Sequence, residues 1–527
     1  MALSLMRRRT QASRPVMEKQ TLSTTKPRGC LQIPTTFFLF ILLSFWCYSL
    51  LVTNSFHLCV SSRKVHHYCI SGGANPRFDL LEVLDSLNIP TNRNRTIIHN
   101  QAGGNRKDEI ANAVKVVEEQ VQEQRSWASK GMHVETQRSC DNRGIFVYDL
   151  PSKFNRDLMA QCRDLLPWTD LCEYFANDAM GQPMPQLGKG WYQTHQYSLE
   201  PIFHSRILNH PCRVHDYNNA KLFYVPFYGG LSILRWHFKN VSSDVKDMLG
   251  VELVKWLEDQ PPWTRSSGKD HMFVLGKISW DFRRNGHNAW GSNFLSLDAM
   301  QAPYKFLIER QPWEPNEIGI PHPTYFHPHD DTDIAAWQRR IISSWRRSLV
   351  SFAGAARPEA AESIRSVLIG QCVSRSDHCR FLDCATGSCL RWIEAVVSLF
   401  MESEFCLQPP GDSPTRKSVF DSLASGCIPV LFSRYTAYYQ YTWHLPENHR
   451  KYSVFIDEEE VREGKVDVIE KLKEVSLEER HEMRRFIVYE LMPGLVYGDS
   501  NANFEKFRDA FDIVLDNLVD RVTTRSR

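Results

Sequence analysis

The sequence predicts an α/β protein with two domains of similar size, each built on a parallel sheet. Short apolar runs alternate with helical patterns between residues 144 and 276, and the same alternation resumes from residue 348 to residue 456. The Pro- and His-rich stretch Pro312–Asp333 marks the boundary between the two sets. Two such domains leave a cleft between them, which is a common position for a ligand.

The composition is typical of a globular protein and argues against nucleic-acid binding. The 527 residues are 42% hydrophobic and 24% charged, and the formal net charge is +2. Seven basic residues and one acid lie within residues 1–28, so the rest of the chain is slightly acidic. A nucleic-acid-binding surface needs clustered positive charge, which this body lacks.

An apolar segment near the N-terminus predicts a membrane anchor. No Asp, Glu, Lys or Arg occurs from Gly29 to Ser62, and Ile33–Val52 supplies the roughly twenty apolar residues that span a bilayer. A cleaved signal peptide is the alternative, but the long basic tail and the bulky residues up to Tyr48 favour an uncleaved anchor. The positive-inside rule then places residues 1–32 in the cytosol and the body in the secretory lumen, a type II topology.

Residues 53–143 are predicted to form a stem ahead of the body. Asn88–Arg106 is polar and has little to bury, but four apolar residues then recur at helical spacing: Ile110, Val114, Val117 and Val121. This seam predicts an amphipathic helix that packs on the body, and a short dimerising coiled coil is the alternative.

The body is expected to divide into an N-terminal domain, 144–340, and a C-terminal domain, 341–527. The strands predicted in the first are Gly144–Leu150, Lys221–Tyr228 and His271–Gly276. The strands predicted in the second are Ser348–Gly354, Val367–Gly370, Phe405–Gln408, Ile428–Phe432 and Val454–Ile456. Helical patterns cover Ser198–Leu208, Val251–Leu257, Val466–Val475 and Leu477–Tyr489.

Cysteine usage agrees with a lumenal body. Twelve of the fourteen cysteines follow the apolar segment. One group is Cys140, Cys162, Cys172 and Cys212, and another is Cys372, Cys379, Cys384 and Cys389. A zinc site is possible for the second group, yet it contains no C-x-x-C pair, so disulfides are favoured. Asn94 and Asn240 begin tripeptides with the form of glycosylation acceptors.

The stretch Phe405–Phe432, FCLQPPGDSPTRKSVFDSLASGCIPVLF, predicts a strand, a turn, a helix and a second strand. Asp412 and Ser413 supply N-cap chemistry, and Gly426 is expected to end the helix. Such a helix N-terminus, with cations in its first turn, suits a diphosphate. The residues assigned to that role are Ser413, Thr415, Arg416 and Lys417.

Asp421, about one and a half turns further, is positioned to accept from ribose hydroxyls. The alternative is an ordinary capped helix with surface Arg and Lys. No Walker loop is present. Asp331-Thr332-Asp333 is a D-x-D but lies in the boundary stretch, so no metal site is assigned.

At these residues the sequence resembles the exostosin-like glycosyltransferases of plants, glycosyltransferase family 47, and in particular the xyloglucan galactosyltransferases. The resemblance covers roughly Gly144–Leu515. Together the matching stretches are specific: GIFVYDLP, FYVPFYGGL, GKISWDFRR, SFAGAARP, FCLQPPGDSPTRKSVFDSLASGCIPV and YYQYTWHLP.

The resemblance implies a GT-B-like fold, two Rossmann-like domains facing a cleft, with the donor on the C-terminal domain. It also implies metal-independent, inverting transfer of galactose from UDP-galactose to xylose of xyloglucan at the Golgi membrane. Ser413, Thr415, Arg416 and Lys417 would then face the diphosphate and Asp421 the ribose. Homo- or hetero-oligomers with other Golgi glycosyltransferases stay open.

Inversion needs a general base in the N-terminal domain, and three residues are candidates: Glu200, Asp281 and His195. Each also has a structural interpretation: Glu200 as a helix N-terminal charge, Asp281 as the partner of Arg283, and His195 as a loop hydrogen-bonder. Two other functions stay open. One is transfer of another sugar, such as galacturonate or arabinose, and the other is a non-catalytic glycan-binding subunit of a synthase complex.

Overall fold

The computed structural model describes residues 57–62, 66–71, 103–128, 140–284, 290–356, 363–385 and 388–525. The chain divides into two compact units, residues 1–82 and 83–527. The predicted cytosolic tail and the segment Ile33–Val52 lie outside the described residues. Among the helices that are described, none is both long and apolar enough to cross a membrane.

The described part of the first unit is an antiparallel pair of strands, β1 (His57–Ser62) and β2 (His66–Ser71). In their register Cys59 lies opposite Cys69.

The second unit contains two sheets in which every pair of neighbouring strands is parallel, as the alternating sequence pattern predicts. The first sheet has the order β4-β3-β5-β6-β7-β8, with strands β3 Ile145–Val147, β4 Arg213–Val214, β5 Leu222–Tyr224, β6 His271–Ile278, β7 Tyr304–Glu309 and β8 Glu317–Gly319. The second has the order β10-β9-β11-β12-β13, with strands β9 Ser348–Gly354, β10 Cys379–Asp383, β11 Ser403–Gln408, β12 Ile428–Leu431 and β13 Val454–Phe455.

Helices connect and cover these strands. The helices up to the boundary are α1 Gly103–Ser126, α2 Arg156–Ala160, α3 Leu199–Leu208, α4 Gly229–His237, α5 Ser243–Glu258, α6 Pro261–Ser266 and α7 Asp331–Ser343. Those that follow are α8 Ile364–Ser374, α9 Ser388–Arg391, α10 Ile393–Met401, α11 Lys417–Ala424, α12 Glu458–Arg462, α13 Val468–Lys473, α14 Leu477–Phe486 and α15 Ala510–Arg525.

The prediction of a strand at Val367–Gly370 is wrong, because these residues lie inside α8. A four-residue apolar run fits a helix as well as a strand. What decides is the helix start: the Ser363 hydroxyl accepts the Ser366 N–H and so caps α8.

Helix α15 returns from the C-terminus to the first sheet. Its Phe511, Val514 and Leu518 are fully buried, in one apolar cluster with Ile145 of β3 and Tyr224 of β5. The end of the chain therefore completes the core of the sheet formed by its first half.

Helix α1 packs on the body, as its apolar seam predicts. Val117 and Val121 are buried. The side-chain amide of Gln124 donates to the Glu317 carbonyl, and Arg125 donates to the Leu445 carbonyl. The helix thus contacts both β8 and the segment that follows β12.

The cysteines of the described body are paired. The disulfides are Cys140–Cys212, Cys162–Cys172, Cys372–Cys379, Cys384–Cys389 and Cys406–Cys427. The zinc alternative for the cluster between residues 372 and 389 is therefore wrong, because a cysteine in a disulfide offers no thiolate to a metal.

Candidate functional site

The donor motif lies at the carboxyl edge of the second sheet. Strand β11 ends at Gln408, the loop 409–416 follows, and α11 begins at Lys417. The helix starts later than predicted, with Arg416 as its N-cap residue, so Ser413 and Thr415 lie in the loop instead of the first turn. Its end is as predicted: Gly426, with φ +66°, follows the last turn.

The loop 409–416 contacts the first sheet through Glu309, the last residue of β7. The N–H and the hydroxyl of Thr415 both donate to Glu309 Oε2, at 2.9 and 2.6 Å. Ser413 adds a side-chain hydrogen bond to the same carboxylate. Glu309 is 5% exposed, and burial raises its pKa. The carboxyl edges of β7 and β11 therefore meet at this loop.

Lys417 lies in a buried, partly neutralised environment. Its Nζ is 2.8 and 3.0 Å from the two carboxylate oxygens of Asp421 and 3.2 Å from the centre of the Tyr325 ring. Burial lowers the pKa of Lys417 and raises that of Asp421. Lys417 and Asp421, two of the residues predicted to bind the donor nucleotide, thus form an ion pair within α11.

Arg416 contacts the start of the loop, where its guanidinium donates to the Pro409 carbonyl at 2.9 Å. Arg365 of α8 donates to the next carbonyl, that of Pro410. Two arginines therefore stabilise the Pro-Pro turn that precedes the residues predicted to bind the diphosphate.

Glu200 is fully buried at the start of α3. Its carboxylate accepts N–H bonds from Gly230 and Gly276, at 2.6 and 3.0 Å, and a longer one from Leu231. Burial raises the pKa of Glu200 to about 7. A Cβ at position 230 would lie only 3.0 Å from Glu200 Oε1 and 3.1 Å from Lys277 Cγ, so glycine allows this close approach. The carboxylate joins β6 to the first turn of α4.

Asp281 follows β6 in a short 3₁₀ turn. Its Oδ2 lies 3.1 Å from Lys277 Nζ, and its Oδ1 accepts the indole N–H of Trp290 at 2.7 Å. The expected pairing of Asp281 with Arg283 is wrong, because Arg283 turns to Glu317, 2.6 Å away. Lys277, four residues earlier in β6, is the cation paired with Asp281.

His195 is buried ahead of α3 and caps a 3₁₀ turn, its Nδ1 accepting the N–H of Tyr197. Because Nδ1 is the acceptor, the proton of the neutral ring is on Nε2. Burial, with smaller effects of the charges of Lys417 and Lys277, lowers the pKa of His195 to about 3. Lys277 belongs to β6 of the first sheet, whereas Lys417 begins α11, which follows β11 of the second sheet.

The structure brings together more residues than the sequence predicts. Glu309, Lys277 and Tyr325 all contact predicted site residues. Glu309 and Tyr325 lie outside the stretches that carry the family resemblance, whereas Lys277 lies in GKISWDFRR but has no role assigned from the sequence. Glu309 ends a strand at the sheet edge where ligands bind, but the sequence pattern does not predict that strand, so this signal is absent from the sequence.

The D-x-D stretch is structural in its contacts. Asp331 accepts the backbone N–H groups of Glu505 and Lys506, and Asp333 pairs with Lys189 at 3.0 Å. Among the described residues, the one cluster with metal-like spacing is Cys162, Asp170 and Cys172, whose cysteines are joined in a disulfide.

Comparison with known proteins agrees with this geometry. The Exostosin GT47 domain matches residues 139–472. Xyloglucan-specific galacturonosyltransferase 1 of Arabidopsis thaliana is 63% identical over 409 residues, which are 78% of this chain and 61% of that protein. Probable xyloglucan galactosyltransferase GT20 of the same plant is 51% identical over 524 residues, 92% of this chain and 93% of that protein. Xyloglucan galactosyltransferase XLT2, also from Arabidopsis thaliana, is 40% identical over 72% of this chain and 75% of its own length.

The chain thus spans about three fifths of the galacturonosyltransferase. Among solved structures, the pneumococcal O-GlcNAc transferase GtfA in complex with UDP and GlcNAc has a TM-score of 0.27 and 10% identity, over 51% of this chain and 60% of that one. A similarity this low bears on neither fold nor function.

The matched domain, which covers most of the body, identifies a glycosyltransferase. The chain belongs to the exostosin GT47 family and, within it, is similar to the xyloglucan glycosyltransferases of plants, which confirms the resemblance seen in the sequence.

Proposed function

We propose that this chain transfers galactose or galacturonate from a UDP-sugar to xylose of xyloglucan, with inversion at the anomeric carbon. The observation that carries the proposal is the meeting of the two sheets at the loop 409–416, where Glu309 of β7 contacts Thr415 ahead of α11. Two parallel sheets whose carboxyl edges meet at a phosphate-type loop favour a GT-B-like arrangement with the donor on the second sheet.

In this proposal the donor diphosphate lies at the start of α11. The positive end of the helix, Arg416 and Lys417 neutralise its charge, so no divalent cation is required. Activity is therefore expected to survive EDTA, and a complete loss that manganese restores would contradict this part of the proposal.

Asp281 is the base that we favour for the acceptor hydroxyl. It follows β6 in the first sheet, and its charge is one of the causes that raise the pKa of Glu309, which itself contacts the loop 409–416. Ile278, three residues before Asp281, lies opposite Glu309 in the register of β6 and β7, so Asp281 follows the strand that neighbours Glu309. Glu200 already accepts three backbone N–H groups, and His195 holds its proton on the nitrogen that faces away from Tyr197.

Both donors have the galacto configuration, and each is supported by a relative. The galacturonosyltransferase is the more identical relative, at 63%, whereas the galactosyltransferase GT20 aligns over 92% of this chain. The test incubates the protein with UDP-galactose, UDP-galacturonate or UDP-arabinose and xylosylated glucan oligosaccharides. Transfer from one galacto-configured donor, with an inverted linkage by NMR, is expected.

UDP binding separates the proposal from a non-catalytic role. A chain that binds xyloglucan oligosaccharides but no UDP in calorimetry would be a glycan-binding subunit.

We also propose a type II protein of the Golgi membrane with a lumenal body. The five disulfides of the described residues support an oxidising compartment. Digestion of the body by protease added to sealed Golgi vesicles would contradict that placement.

A further inference from the structure

Glu309 is an unusual partner for a phosphate-binding loop. Its carboxylate takes up the N–H and hydroxyl of Thr415 and a hydrogen bond from Ser413. These are groups that the sequence assigns to the donor diphosphate. An internal anion therefore occupies hydrogen-bond donors that the substrate's anion needs.

The surroundings of Glu309 also make its negative charge unfavourable. The charge of Asp281 disfavours ionisation of this carboxylate, as burial does, and the causes that favour ionisation are hydrogen bonds from Ser413 and Thr415, which are neutral. A buried carboxylate held by neutral donors is costly, because water is lost without a compensating charge. By contrast, Glu314 and Glu317, which follow β7 in the chain, share Arg283.

We propose that Glu309 is a positioning residue that holds the loop 409–416 in the nucleotide-free protein and is displaced when the donor diphosphate binds. The inference rests on the proposed function, since it takes UDP as the displacing ligand. Because Glu309 ends β7 and Thr415 follows β11, the exchange of one anion for another changes a contact between the two sheets. Binding of the UDP-sugar would therefore change the contact between the first sheet and the loop 409–416.

The sign of one affinity change tests the proposal. Glu309→Gln keeps the size of the side chain and removes its charge, so UDP should bind about tenfold more tightly, a modest figure for removing one like charge from a buried anion site. Glu309→Asp keeps the charge but withdraws the carboxylate from Thr415, so it should also tighten UDP binding. A residue that only supports the loop would give the opposite sign, since its loss would weaken binding.

The measurement is calorimetric titration of the full-length protein with UDP, with thermal melts to verify folding. Glu314→Gln is the matched control, because Glu314 pairs with Arg283, 3.3 Å away, and UDP affinity should stay as in the wild type. Weaker or unchanged UDP binding by folded Glu309→Gln overturns the inference alone, as does loss of the fold in both Glu309 variants. Absence of UDP binding in the wild type and in every variant overturns the proposed function as well. Binding by Glu309→Gln where the wild type binds none supports the displacement.

Discussion

Lys417 and Asp421 form an ion pair one turn apart on α11, with side chains only 10% and 7% exposed. The pair keeps a cation at the helix start, beneath the Tyr325 ring, without leaving that charge uncompensated when no phosphate is present. A diphosphate that approaches the helix start would compete with Asp421 for the ammonium.

Lys417→Met should separate the contribution of this lysine to stability, through its ion pair with Asp421, from its contribution to UDP binding. Removing one partner of a buried pair costs roughly 3–5 kcal/mol of the free energy of unfolding. UDP affinity should fall roughly 10- to 100-fold, as for a lost charge-assisted hydrogen bond. The double variant Lys417→Met/Asp421→Asn should regain most of the stability and none of the affinity. Full recovery of UDP binding in the double variant would show that Lys417 acts only on Asp421.

Asp281→Asn should lower turnover by about 10²- to 10⁴-fold, the usual contribution of a positioned base, with UDP affinity little changed. The amide keeps its hydrogen-bonding shape beside Lys277 and Trp290 but cannot take the proton. Trp290→Phe is the matched control, because it removes one donor to Asp281 and leaves the carboxylate in place. It should cost less than tenfold in turnover. Normal turnover by Asp281→Asn would move the search for the base to His195.

Glu200→Gln should act on stability instead. The amide nitrogen would face one of the backbone N–H groups that the carboxylate now accepts, which costs roughly 1–3 kcal/mol of the free energy of unfolding. Turnover per folded molecule should be unchanged, as measured by activity normalised to the folded fraction. A variant with a normal melting temperature and greatly reduced turnover would instead make Glu200 the base.

Much of the second sheet could be predicted from sequence, and the reason is local. Strand β9 matches its predicted bounds, and Gly426 ends α11, because apolar runs and helix stops are encoded by adjacent residues. Strand β7 was not predicted, since Lys305 and Glu309 interrupt its apolar pattern. Both are buried, Lys305 with the nearby Met300 carbonyl as its partner and Glu309 with a partner far away in the sequence.

The same limit applies to the site. Glu309 accepts hydrogen bonds from Thr415, more than a hundred residues away. The motif between residues 405 and 432 could be predicted because its residues are contiguous. Its partner in the first sheet could not, because a carboxylate buried by tertiary contact has no signature in the local pattern. For Asp281 the sequence suggests a nearby partner that is wrong: Arg283, two residues away, pairs with Glu317, and Asp281 pairs with Lys277.

The disulfides should differ in their contribution to stability. Cys140–Cys212 closes 72 residues and Cys384–Cys389 closes 5. A long closed loop restricts the unfolded chain more, so replacing both cysteines of the first pair by serine should cost about 4 kcal/mol of the free energy of unfolding. The same change in the second pair should cost less. Denaturant unfolding of the two double variants measures the difference, and equal losses would contradict the loop-length argument.

His322 should make the protein less stable as the pH falls, and His322→Phe should remove this pH dependence. The imidazole is buried, its ring centre lies 5.7 Å from that of Phe420, and neither ring nitrogen has a hydrogen-bond partner among the described residues. Burial, with a smaller effect of Lys417, lowers the pKa of His322 to about 3.

The folded chain therefore keeps this ring neutral, whereas the unfolded chain protonates it below its ordinary pKa of about 6.5. The contribution of His322 to stability is complete above that pH and is lost as the pH falls toward 3. His322→Phe removes the titration, so the variant should gain about 2 kcal/mol on the wild type between pH 7.5 and pH 5. Phe420→Leu, which changes the packing against the ring without changing a titrating group, should shift the whole profile evenly. Parallel pH profiles for the wild type and His322→Phe, measured by urea unfolding, would mean that His322 is protonated in the folded chain.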